Sequence, residues 1–203
     1  MTERYQLSFT TGGLFLHEAS TVAECYLRLG DWPATRARVR QENFLQVRTA
    51  AAATRISKEI TARLQQLNEL ELQIFLESNL RDQAYLLWVA ACRRYAFIRD
   101  FAIEVLREQY LLLRRQVTFA DYDSFYNHKA LWHAELDEIA NSTQLKLRQN
   151  LFRMLREADL LSDQHEIHPA KISPHLAQLL AKQGRQELLI FPTTEHDIQR
   201  WLQ

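Results

Sequence analysis

Residues 79–101 read Asn-Leu-Arg-Asp-Gln-Ala-Tyr-Leu-Leu-Trp-Val-Ala-Ala-Cys-Arg-Arg-Tyr-Ala-Phe-Ile-Arg-Asp-Phe, and this stretch decides the fold class. Asn79 with Asp82 has the spacing of a helix-capping pair. From there Tyr85, Leu86, Trp88, Val89 and Cys92 nearly encircle a helix, and a helix apolar on all sides is buried by its neighbours. The uncharged run Gln83–Cys92 falls far short of the roughly 20 residues a membrane span requires, so it predicts a core helix with no membrane insertion. Phe97, Phe101, Val105 and Leu112 carry the helical period onward. One helix over 80–115 and two helices with a bend near Tyr95 both fit the pattern.

Outward from this centre, start and stop signals divide the chain into further helices. Gly30 closes a helix over 14–29, Asp31-Trp32-Pro33 opens one over 33–42, and the alanine run at 50–53 supports a long one over 46–67. Asn68 with Glu71 opens 69–77, and Thr118 with Asp121 opens 119–131. A short helix over 132–140 leads to Asn141-Ser142-Thr143, read as a turn and cap before a helix over 143–158. Then the texture changes. Leu160-Leu161, Glu166–Pro169 and Glu187–Phe191 read as short extended pieces around a helix over 174–183, with a last helix over 194–202. The expectation is an all-α protein with a helical core in 1–117 and a C-terminal helical region in 118–203. The second region has the order of a helix-turn-helix with a small wing.

Composition agrees. The 203 residues include only four Gly and four Pro, and 47% are apolar, which favours long helices in a folded domain. Cys25 and Cys92 stand alone, without metal-type spacing, as buried thiols do in a reducing compartment. Met1-Thr2-Glu3-Arg4 does not open a signal peptide, so a cytoplasmic location is expected.

Catalytic signatures are scarce. Gly12-Gly13 leads into no phosphate-loop or dinucleotide motif. His165, His168 and His175 fit a polar turn before Pro169 better than a metal site. The carboxylates have no spacing that demands acid–base work. The reading is a non-enzyme with no cofactor and no metal.

The charge total is 25 basic against 25 acidic residues, but the signs are segregated. Arg28, Arg36, Arg38, Arg40, Arg48, Arg55, Lys58 and Arg63 crowd 28–63, while Asp121, Asp123, Glu135, Asp137 and Glu138 crowd 117–140. Arg36 and Arg40 share a helix face, and Arg48, Arg55 and Lys58 share another. Whether these two faces, 36–40 and 48–58, merge into one stripe separates a nucleic-acid surface from a helical adaptor that binds only proteins; lying apart or pairing with the acidic block favours the adaptor. Arg93 and Arg94 beside Tyr95 form a second cationic candidate, with pairing to Asp82 or Asp100 as the structural alternative. On helix 143–158, Leu147, Leu151, Met154 and Leu155 fall on one side. Lys146, Gln149, Asn150, Arg153 and Arg156 fall on the other, and these side chains suit phosphates and base edges.

The strings Tyr5–Phe15 (YQLSFTTGGLF), Gln83–Trp88 (QAYLLW), Cys92–Tyr95 (CRRY), Phe97–Phe101 (FIRDF) and Leu147–Ala158 (LRQNLFRMLREA) resemble the BrxA family of bacterial phage-exclusion (BREX) gene clusters. The resemblance runs nearly end to end. It implies a non-catalytic component of a defence system that also holds a DNA methyltransferase, ATPases and a phosphatase-like protein. It also implies a helical core similar to the NusB antitermination factor. It brings no residue-level motif. Double-stranded DNA and other BREX components are the expected partners. A helical adaptor that binds only proteins, or RNA binding through the NusB-like core, are the alternatives.

Overall fold

The computed structural model describes residues 4–202, and among them the chain is all-α. In order come α1 (Leu16–Leu29), α2 (Trp32–Gln41), α3 (Ala50–Leu64), α4 (Glu69–Glu77) and α5 (Leu80–Arg94). Then follow α6 (Ala96–Phe101), a π-helical turn (Ala102–Arg107) and α7 (Glu108–Leu111). The chain ends with α8 (Phe119–Ala130), α9 (Asn141–Glu157), α10 (Pro174–Gln183) and α11 (Glu195–Leu202). Helix α1 packs on α2, α3 and α4, and α3 packs on α5. The predicted caps form: Asp31, Asn68, Asn79 and Thr118 each accept a backbone N–H of the first turn, and Asn68 and Thr118 complete capping boxes with Glu71 and Asp121.

Helix α5 is the buried centre. Tyr85, Leu86, Trp88 and Val89 are fully enclosed, and the Trp88 indole N–H donates to the Ile190 carbonyl. The 80–115 stretch bends at Tyr95, whose extended backbone ends α5 and starts α6. This bend lets the buried Tyr95 hydroxyl donate to Glu59 on α3. One cluster of buried residues runs from Tyr5 to Ile198. No helix among the described residues is long and apolar enough to cross a membrane.

Several expected boundaries shift. Thr49 caps α3, so the helix starts at Ala50 and Arg48 lies ahead of it. Residues 132–140 hold only a 3-10 turn, Ala134–Leu136. Asn141, Ser142 and Thr143 form the first turn of α9, not a turn before it, and no side chain caps that end. The α8–α9 connection is thus much longer than a three-residue turn. Glu187–Phe191 is not extended. It follows a 3-10 turn (Arg185–Glu187) that folds Leu188, Ile190 and Phe191 into the core, where local turn hydrogen bonds replace strand partners. The other extended pieces do pair. Leu161 bridges Ile167 and Gln116 bridges Glu166, both antiparallel, as isolated bridges beside α9.

Candidate nucleic-acid interface

The N-terminal segment decides which cations meet. Residues 5–14 run as irregular chain, and their backbone needs partners from elsewhere. Asn150 Nδ2 on α9 donates to the Phe9 carbonyl at 3.0 Å. The Leu14 N–H donates to Glu157 Oε2 on the same helix. On the other side, Arg63 of α3 donates to the Gly13 carbonyl at 2.7 Å and to Glu59 Oε1 at 2.7 Å. The loop is thereby fastened between α3 and α9.

That fastening creates a cleft of about 580 Å³ lined by Thr10, Thr11, Arg55, Thr143, Lys146 and Arg153. A second depression of about 280 Å³ also borders α3, lined by Arg36, Arg40, Thr54, Ser57 and Lys58. Arg55 and Lys58 are three residues apart on one exposed helical flank. Helix α3 thus belongs to both depressions, and the Arg36–Arg40 face and the Arg55–Lys58 face meet.

These cations are mostly uncompensated. Among the described residues, Arg36, Arg40, Arg55, Lys58 and Lys146 make no ion pair, while Arg38 pairs with Glu42 and Arg153 with Glu157. Arg40 Nε donates to the Arg36 carbonyl, which holds its side chain along α2. Most of the acidic block is engaged elsewhere. Asp123 binds Arg148, Glu138 binds Arg4, and Glu135 accepts the Tyr5 N–H.

Other candidates are placed differently. Arg93 is not a surface cation: it makes paired hydrogen bonds to Glu71 at 2.8 Å and another to Glu187 at 2.9 Å, in place of Asp82 or Asp100. Burial opposes its charge, but the Glu71 hydrogen bonds and the Glu187 charge outweigh burial and raise its pKa. Arg94 is half-buried with its guanidinium 5.8 Å from the Tyr95 ring centroid. Asn150 is 8% exposed and committed to Phe9, so it is unavailable for a base edge. Arg156 lies 3.6 Å from Asp163, and Gln149 is exposed. Arg48 is exposed but off the α3 face. Sequence reasoning missed Thr10, Thr11, Ser142 and Thr143 as lining residues. The Gly12-Gly13 pair was the available signal, because a loop that admits no side chain there lies close to something. No group of His, Cys, Asp and Glu among the described residues could hold a metal ion.

The class defined here is an all-α protein with a basic surface shared by α2, α3, α9 and the N-terminal loop. Comparison with known proteins narrows it. The BrxA family profile matches residues 3–184, and the chain belongs to that family. It is 23% identical over 180 residues to "BREX protein BrxA" of Escherichia coli O9:H4 (strain HS), which covers 88% of this chain and 84% of that one. A crystal structure of an uncharacterized protein from Magnetospirillum magneticum has a similar fold, with a TM-score of 0.77 and 21% identity over 93% of this chain and 97% of the other.

Proposed function

We propose that this chain is a non-catalytic, cytoplasmic component of a BREX phage-defence system that binds double-stranded DNA. The family and the relative's name support the BREX assignment. The observation that carries DNA binding is the meeting of Arg36, Arg40 and Lys58 in one depression and Arg55, Lys146 and Arg153 in the next, joined through α3. Cations grouped on one surface, of which only Arg153 is in an ion pair among the described residues, bind phosphates by releasing counterions. No aromatic ring lines either depression, so the stacking platforms that single strands use are lacking there. This favours duplex backbone as the ligand.

A second reading, a helical adaptor, rests on another face. Leu111, Leu112 and Leu113 are exposed, and Leu112 lines a groove with Val105, Phe125, Glu104 and Glu108. A mobility shift with double-stranded DNA, single-stranded DNA and RNA over a salt series separates the readings. Duplex retention at low salt that weakens steeply as salt rises is expected. Tighter retention of RNA would favour the NusB-like alternative, and no retention of any nucleic acid would leave the adaptor.

A further inference from the structure

We propose that the cleft between the Thr10–Gly13 loop and the first half of α9 is a receptor for one phosphoryl group, not just a stretch of positive surface. It rests on the nucleic-acid reading only for where that phosphate comes from.

Three cations converge there from two helices: Arg55 from α3, and Lys146 and Arg153, two turns apart on α9. One carboxylate, Glu157, answers Arg153 at 2.7 Å, and its other oxygen already accepts the Leu14 N–H. The cleft therefore keeps uncompensated positive charge. Hydroxyls of Thr10, Thr11, Ser142 and Thr143 border the same space. Hydroxyls, guanidinium and ammonium together are the donors that match phosphate oxygens. The uncapped start of the 17-residue helix α9 adds the favourable end of its dipole.

The site is also pre-organised. Buried Arg63 and Asn150 hold the loop carbonyls of Gly13 and Phe9 and line up the loop without a ligand. Binding then spends little on ordering the chain. A volume of about 580 Å³ admits a phosphate with its sugar attached. The Arg36–Arg40–Lys58 depression is about half as large, at 280 Å³, and lacks such a loop.

The test uses the full chain labelled with 15N and titrated with inorganic phosphate at constant ionic strength, with chloride as the control. Saturable shifts at Thr11, Gly12, Ser142 and Thr143 are expected with phosphate and not with chloride. Lys146 is exposed, so Lys146→Met leaves the fold intact. It should weaken phosphate binding about tenfold, the effect of one charge-assisted hydrogen bond. Lys182→Ala, at an exposed position on α10 that lines neither depression, should leave phosphate binding unchanged. Competition by short duplexes with and without a 5′-phosphate then assigns the source. Stronger competition by the phosphorylated duplex means a terminal monoester, and equal competition means a backbone diester. Absence of saturable shifts, or shifts indifferent to Lys146→Met, overturns the receptor even if DNA is retained in the mobility shift. Phosphate saturation without retention of any nucleic acid keeps the receptor and overturns the DNA reading.

Discussion

A methyl group on Gly13 would stand 2.1 Å from Glu157 Oε2 and 2.5 Å from its carboxyl carbon. Gly13→Ala must therefore push Glu157 away from the Leu14 N–H, and it should cost about 1–3 kcal/mol, the usual range for overpacking. Urea unfolding measures this, and adding Glu157→Ala should recover part of the loss because the clash disappears. Trp88 presents the opposite case. It is fully buried and bonded to Ile190, so Trp88→Ala should cost about 3–5 kcal/mol. An unchanged thermal midpoint would place this ring outside the cooperative core. The Trp88 environment was legible from the neighbours that encircle α5. The Gly13 constraint was not, because Glu157 lies 144 positions away in the chain.

Element by element, helices with strong caps appeared where the sequence placed them, as α4 and α8 illustrate. Segments between capped helices did not, because neither 132–140 nor 187–191 has a cap or period to hold a regular element. The bridged segment beside α9 carries a pH-dependent contact. His165 lies 4.9 Å from both the Phe119 and Phe152 rings, centroid to centroid. Burial, with help from Arg156, lowers its pKa below 6.5. The folded state then binds fewer protons than the unfolded chain as pH falls below 6.5, so stability drops in that window. The thermal midpoint should fall on acidification below about 6.5, and His165→Phe should reduce that fall. Identical pH profiles for the two proteins would remove His165 as the cause.

At the scale of the whole molecule, the basic surface is a tertiary product of α2, α3 and α9. Each phosphate contact contributes to the salt dependence of binding. Arg36→Ala combined with Arg40→Ala should weaken binding to every duplex and flatten the salt slope by about one unit per lost contact. Gln149→Ala should leave the slope unchanged, because the residue is uncharged, and should alter sequence preference only if α9 enters a groove. Mobility shifts on two unrelated duplexes over a salt series check both. An unchanged slope in the double variant would move the contact surface to Arg55 and Lys146.

Local sequence determined what depends on neighbours within a few residues: the caps at Asp31, Asn68, Asn79 and Thr118, the burial of α5, and the apolar face of α9. It also supplied the family strings and the segregation of charge. Only the tertiary structure decided which cations stay free. Arg93 and Arg36 both read as cationic candidates, yet the half-buried Arg93 is paired with Glu71 and Glu187 while Arg36 lines a depression with Lys58. Asn150 read as a base-contacting side chain until the N-terminal segment crossed α9 and took its amide. The physical reason is the same in each case. Periodicity gives a side chain's direction on its own helix, whereas its partner comes from whichever distant segment packing brings against that face.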